Sequence, residues 1–300
     1  MNLMCEISSF SELKKLSKYN QVKLVVLGCE FLSLNSTKKF DFNELENIIG
    51  YAHLHDIKVC LEAERLFHQD DIKYINLLFK NPVLSMIDYF MYSDLGFYQM
   101  MVERGWSNRL IYNAPTYMTN SYDVKLYQKL NNMVVISNQI TSKELIEIAN
   151  NVDDNLIIDA FGMACCFYSK RPLVSNYFVF KDRKPINYVG KVAKLQEETR
   201  TNYYNLVEDE NGTRVFEEAH YALTNELEEI KKGNYLYIHH FEVKSNDYLN
   251  IVSLYNDYLN NRIDANNLNE MITQIDFNIY KGAYGNKTVL LKGDVSKWEK

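Results

Sequence analysis

Several absences narrow the field first. The 300 residues contain only five cysteines, an odd count in a long chain, which points to reduced thiols in the cytosol. There is no Cys-x-x-Cys, no His-Glu-x-x-His and no EF-hand loop, so spacing announces no metal site. Gly-x-Ser-x-Gly and Gly-rich phosphate loops are missing too, which argues against a hydrolase with an ordinary triad. No apolar run approaches the roughly 20 residues of a membrane span. The start, Met1-Asn2-Leu3-Met4-Cys5-Glu6, lacks the basic and apolar regions of a secretory signal. Thirty-nine acids against 33 bases leave a net charge of −6, so general affinity for a polyanion is not advertised. Four prolines beside many Asn, Lys, Ile and Tyr residues reflect nucleotide bias in the source genome rather than function. A soluble cytoplasmic protein without membrane contact is the expectation.

What is present is a regular alternation. Short β-branched runs alternate with amphipathic helical patterns, the signature of α/β architecture with a parallel sheet. Candidate strands are Leu3 to Ile7, Val22 to Leu27, Ile57 to Leu61, Ile87 to Met91, Arg109 to Tyr112, Met133 to Ile136, Leu156 to Asp159 and Tyr235 to His239. Between them, Phe42 to His53 puts Leu45, Ile48, Ile49 and Ala52 on one helical face, and Thr141-Ser142-Lys143-Glu144 has capping-box spacing. Eight strands predict a (β/α)₈ TIM-barrel-like fold with its site at the strands' C-terminal ends.

The repeat is broken between the seventh and eighth strands by a β-rich insertion, about 172–230, holding Val174 to Phe180, Tyr203 to Val207 and Thr213 to Phe216. The last two flank Asn211-Gly212, a plausible hairpin turn. Such an insertion would lie over the barrel mouth. The expected division is a barrel domain over 1–260 and a C-terminal extension over 261–300, with Phe277 to Lys292 as irregular strand.

On this barrel several polar residues converge on one rim. They are Glu62, Glu64, Asp94, Asn113, Thr116, Asn120, Ser137, Asp159 and Glu242. Carboxylates at strand ends serve as general acid and base once their surroundings separate their pKa values; the plainer alternative is that some, such as Asp94, cap the next helix. His239-His240 point to opposite sides of a strand, so at most one faces the interior. Cys29 could approach Cys165 and Cys166 across the mouth, and an acid or His240 would have to complete a metal site. The Lys170-Arg171, Lys181-Asp182-Arg183-Lys184, Lys191 and Lys194 strip, interleaved with Tyr168, Tyr177, Phe178 and Tyr188, suits single-stranded RNA or is simply a solvated surface.

The hallmark Asp159, Phe161-Gly162, Tyr168-Ser169, Lys170-Arg171 and Leu173-Val174-Ser175-Asn176-Tyr177 resembles that of the peptidase U32 family. Val25-Val26-Leu27-Gly28, Ser93-Asp94-Leu95-Gly96, Pro115 to Ser121, Ser137 to Thr141 and Asp209 to Thr213 follow in the family's order. The resemblance implies a barrel-like fold and either proteolysis or oxygen-independent hydroxylation, of tRNA wobble uridine, ribosomal RNA or ubiquinone precursors. Hydroxylating relatives carry an iron–sulfur cluster on four cysteines, take oxygen from prephenate in the tRNA and quinone cases, and often work as homologous pairs. Residues 181–200 contain no cysteine, so Cys29, Cys165 and Cys166 form an incomplete ligand set. The resemblance is greatest to the short, cysteine-poor member of paired tRNA-hydroxylating systems. It implies Asp159, Asp94, Asn113, Lys170 and Arg171 as catalytic candidates. Thr116, Asn120, Ser137, Tyr168, Ser169, Asn176 and Glu242 would bind substrate. The expected function is support of tRNA uridine 5-hydroxylation beside a cysteine-rich homologous partner, with tRNA contacted through that partner. A peptidase and a non-catalytic scaffold subunit are the alternatives.

Overall fold

The computed structural model describes residues 1–114, 117–183, 192–196, 198, 203–275, 279 and 282–285. Eight parallel strands form its centre: β1 (Asn2–Glu6), β2 (Val22–Cys29), β3 (Lys58–Ala63), β4 (Tyr89–Tyr92), β5 (Leu110–Tyr112), β6 (Met133–Val135), β7 (Leu156–Gly162) and β8 (Tyr235–Ile238). Each pairs in parallel with the next, and β1 pairs with both β2 and β8, so the sheet closes. All eight expected strands are present, in the expected order.

Six helices fill the crossovers: α1 (Phe10–Leu16), α2 (Phe42–Leu54), α3 (Asp71–Leu78), α4 (Leu95–Glu103), α5 (Ser121–Leu130) and α6 (Ser142–Asn150). Their starts are chemically marked. Asp41 with Glu44, and Thr141 with Glu144, form complete capping boxes, which satisfy backbone N–H groups that the first helical turn leaves unpaired. Leu45, Ile48, Ile49 and Ala52 of α2 are buried, the face expected from their spacing. No described helix is long and apolar enough to cross a membrane.

Strand alternation divides the core in two. Along β1, Leu3 and Cys5 join the layer between barrel and helices, whereas Met4 joins Leu24, Val26, Cys60, Met91, Ile111, Met133, Val135, Ile157, Tyr235 and Tyr237 inside the barrel. The interior is therefore a dry apolar plug toward the strands' N-terminal ends. The next inward positions toward the C-terminal ends are polar.

After β7 the chain leaves the barrel. Strands Cys165–Ser169, Val192–Gln196, Tyr203–Asp209 and Gly212–Phe216 form a separate four-stranded antiparallel sheet. The expected hairpin is present, with Glu210-Asn211 as its two turn residues and Gly212 opening the second strand opposite Asp209, one residue from the expected Asn-Gly turn. Gly212 has φ +112°, and a Cβ there would lie 2.1 Å from the Ser169 carbonyl oxygen, so only glycine fits. Leu173–Phe180, expected within a β-rich stretch, is instead a helix, α7. Its β-branched and aromatic residues mimic a strand pattern, but bonds from Glu208 to the Val174 and Ser175 N–H groups hold its first turn. The chain then returns through β8 to α8 (Ser245–Leu259) and α9 (Ala265–Gln274). Most of Phe277 to Lys292 lies outside the described residues; of that stretch, Tyr284 is buried and donates to the Asp159 carbonyl oxygen at 3.1 Å.

Candidate functional site

The polar inward positions meet at the barrel mouth. Glu6 ends β1, Glu62 lies in β3 with Glu64 just beyond, Asn113 follows β5, Asn138 follows β6, Asp159 lies in β7, and Tyr237 and His239 come from β8 and its end. Together with Asn35, Met163, Cys165, Phe216 and Phe241 they line a small cavity open to solvent. Cys165 and Phe216 belong to the antiparallel sheet, which thus forms one wall. Four carboxylates and one imidazole share this space.

The imidazole is the hub. His239 Nε2 lies 2.9 Å from Asp159 Oδ1, and Nδ1 lies 3.2 Å from Glu6 Oε1. Burial opposes a charged ring, but the two carboxylates outweigh it and raise the His239 pKa to about 10, so the ring is an imidazolium at neutral pH. Glu6 also accepts from Tyr237 Oη at 3.0 Å and the His240 N–H at 2.8 Å. Burial alone would raise Glu6; hydrogen bonds from and attraction to His239, then the other donors, hold it below the ordinary carboxylate range. Asp159 is completed by Asn138 Nδ2 at 3.0 Å. Gly162 makes room for the ring, since a Cβ there would come within 2.8 Å of the His239 side chain.

Glu62 and Glu64 are a second, different pair. Burial raises both. Glu62 accepts from the N–H groups of Leu34 and Asn35, at 2.8 and 2.7 Å, and from the Ser36 hydroxyl, which restrains its rise. Glu64 has the Asn113 amide as its side-chain donor and Glu62 as a like-charged neighbour. The proton shared by such a pair resides on Glu64. The mouth therefore holds a neutral acid, ionised carboxylates and a fixed cation, a set suited to moving protons on a bound molecule.

The candidates from sequence divide sharply. Asp159 and Asn113 line the cavity, as does Cys165. Asp94 does not; it caps α4, accepting from Phe97 N–H at 3.0 Å and Phe67 N–H at 3.2 Å. Asn120 caps α5 in the same way. Lys170 is paired with Asp71 at 2.7 Å. Arg171 is exposed, with its N–H on Ser169 Oγ. Ser137 is buried and accepts from the Gln139 N–H. Tyr168 donates to the Asn211 carbonyl oxygen, and Asn176 is exposed on α7. Glu242 is exposed in a left-handed backbone conformation at φ 57°. Thr116 lies outside the described residues, as do Lys184, Tyr188 and Lys191 of the basic strip.

The three thiols do not assemble into a ligand set. Cys29 is buried at the end of β2 with its Sγ 3.3 Å from the Glu30 carbonyl oxygen. Cys166 turns toward the Val215 carbonyl oxygen, while its neighbour Cys165 faces the cavity, as alternation requires. Among the described residues no three His, Cys, Asp or Glu side chains are placed to hold a metal ion. Burial, reinforced by Cys166, pushes the Cys165 thiol up to about 12, and burial with Glu30 does the same for Cys29. The placement of the cysteines does not fit the four-thiolate ligand set of an iron–sulfur cluster within this chain.

Glu6 and His239 were not singled out for the site from sequence. The signal was available in the alternation Met4-x-Glu6 and Tyr235-x-Tyr237-x-His239, in which apolar inward residues give way to a charged one at the strand's end. His240 points the other way, 3.1 Å from Glu12, as the two-sided expectation for the pair requires.

The sequence profile of peptidase family U32 matches residues 8–284. The chain is 24% identical over 217 residues to tRNA hydroxylation protein P2 of Bacillus subtilis, covering 68% of each chain. It is 28% identical over 159 residues to an uncharacterized protease of Methanocaldococcus jannaschii, covering 51% of this chain and 39% of that one. A solved U32 peptidase structure superposes at a TM-score of 0.43 with 10% identity, over 55% of this chain and 70% of the other.

Proposed function

The chain belongs to peptidase family U32, and from that premise we propose that it is a subunit supporting the 5-hydroxylation of tRNA wobble uridine beside a homologous partner. One observation carries this reading against proteolysis by a covalent nucleophile. The mouth is built from acid–base groups around His239, and its cavity-lining thiol, Cys165, is held protonated. The similarity to tRNA hydroxylation protein P2 supports the same arm. Because Cys29, Cys165 and Cys166 do not gather, an iron–sulfur cluster would belong to the partner. The net charge of −6 likewise favours a partner that brings the cationic surface tRNA requires.

In this role Glu64 donates a proton to bound substrate, and the Glu6–His239–Asp159 chain fixes the charge beneath it. The test is deletion of the gene followed by mass spectrometry of tRNA nucleosides. Loss of 5-hydroxyuridine and its derivatives, restored by the wild-type gene and not by Glu64→Gln, supports the proposal. Unchanged nucleosides sink it. A second reading, a carboxylate peptidase, has the Glu62–Glu64 pair in its favour, since one protonated and one ionised carboxyl can activate water between them. Peptide cleavage by the purified chain, abolished in Glu64→Gln, would favour that reading.

A further inference from the structure

The mouth cavity carries a surplus of hydrogen-bond acceptors. The side-chain carbonyl oxygens of Asn113 and Asn35, two residues that line it, have no donor among the described residues. Asn113 is only 4% exposed, so water does not readily supply one, and a bare buried acceptor is costly. The side-chain donors nearby are committed: Tyr237 Oη to Glu6, both His239 nitrogens to Glu6 and Asp159, Asn138 Nδ2 to Asp159, and the Ser36 hydroxyl to Glu62. Charge runs the same way. Glu6, Glu62, Glu64 and Asp159 face the single cation His239. An anion brought here meets carboxylates and finds no uncommitted cation among these groups. A molecule presenting N–H donors and positive charge would satisfy both deficits at once.

We propose that the mouth cavity binds a small organic cation, a primary ammonium or guanidinium group, with the Asn113 and Asn35 carbonyl oxygens as acceptors and Glu64 as counter-charge. The cavity is open to solvent at the barrel mouth, and a group of about three or four heavy atoms is the size it suits. Burial favours the protonated form of Glu64, so a cation that takes Glu64 as its counter-charge releases that proton on binding. The groups facing Glu64 are Glu62 from β3, Glu6 from β1, Asp159 from β7 and His239 and Tyr237 from the β8 edge. A dicarboxylate oxygen donor such as prephenate would then have to bind elsewhere. With the cation bound Glu64 is ionised, so there it accepts a proton, and its donor role belongs to the site without the cation.

Ethylammonium, guanidinium and malonate, titrated at matched ionic strength into the ¹⁵N-labelled full chain, test it. The Asn side-chain amide signals report the site, and an indicator dye reports proton release. For a ligand of about three heavy atoms the affinity ceiling is in the millimolar range. The expected result is saturable shifts with either cation and none with malonate. Glu64→Gln should abolish proton release, and Asn113→Ala should weaken binding at least tenfold. Saturation by malonate, no saturable binding by any probe, or cation binding unaffected by both substitutions would overturn the proposal. A failed tRNA nucleoside test leaves these outcomes untouched.

Discussion

His239 is a buried cation serving two carboxylates at once, and that arrangement fixes how the residue responds to change. Removing one partner of a buried ion pair typically costs about 3–5 kcal/mol, because a charge is left uncompensated. His239→Asn should therefore destabilise the protein by about that amount at neutral pH, in urea titration. The loss should shrink toward pH 4, where the stranded carboxylates take up protons. In the wild type, the His239 contribution is complete below its ordinary pKa of 6.5 and is lost as pH rises through about 10. Glu12 works in the opposite sense. Burial opposes ionisation there, but hydrogen bonds from His240, Ser245 and Ser8 lower it from 4.5 to about 2. Its contribution is present above pH 4.5 and disappears as pH falls through about 2. Glu62 and Glu64, raised by burial, add a decline that begins above their ordinary 4.5, so melting temperature followed across pH should be highest near pH 4.5, with His239→Asn removing the imidazolium's share of the decline between pH 7 and 10.

At the scale of elements, strand ends and helix starts compete for the same polar residues. Asp94 and Asn120 have the composition of rim catalysts, yet both spend their oxygens on the first turn of a helix. Asp94→Ala should cost about 1 kcal/mol, the worth of a typical cap, and leave cation binding at the mouth unchanged; a site defect at full stability would restore a catalytic role. Gly162→Ala is the converse. It places a methyl group against the His239 ring, so overpacking of about 1–3 kcal/mol should come with displaced His239 signals by NMR. The eight strands were legible because β-branched runs recur with helical patterns between them. The α2 face was legible because 3.6-residue spacing is enforced by burial. α7 was not, since Leu173 to Phe180 satisfies strand composition and only Glu208, distant in sequence, decides for helix. The Lys170–Asp71 pair was not legible for the same reason: the two residues lie 99 apart in sequence, and no local pattern reports it.

For the whole molecule, the thiols give a direct reading of where the cysteines stand. Cys5, Cys29 and Cys60 are buried, and Cys165 and Cys166 are half-buried. A disulfide-exchange reagent should modify Cys165 and Cys166 slowly at neutral pH and spare the other three until denaturant is added, when all five react. Prompt reaction at Cys29 would contradict the placement of β2. The exposed side chains of α7, among them Tyr177, Val179 and Phe180, lie beside Lys181 and Arg183. α7 and the residues just after it thus carry both apolar and basic surface.

The barrel's closing seam has a temporal consequence. Glu6 and His239 lie 233 residues apart and meet across the β1–β8 junction. A nascent chain emerging from the ribosome exposes β1 through β7 long before β8 exists, with the inserted sheet still to be made in between. Contacts of such long sequence separation form late and slowly. Throughout that interval Glu6 and Asp159 lack the cation they share in the finished barrel. Closure and neutralisation are one event, so an incompletely translated chain carries no working version of the site at all.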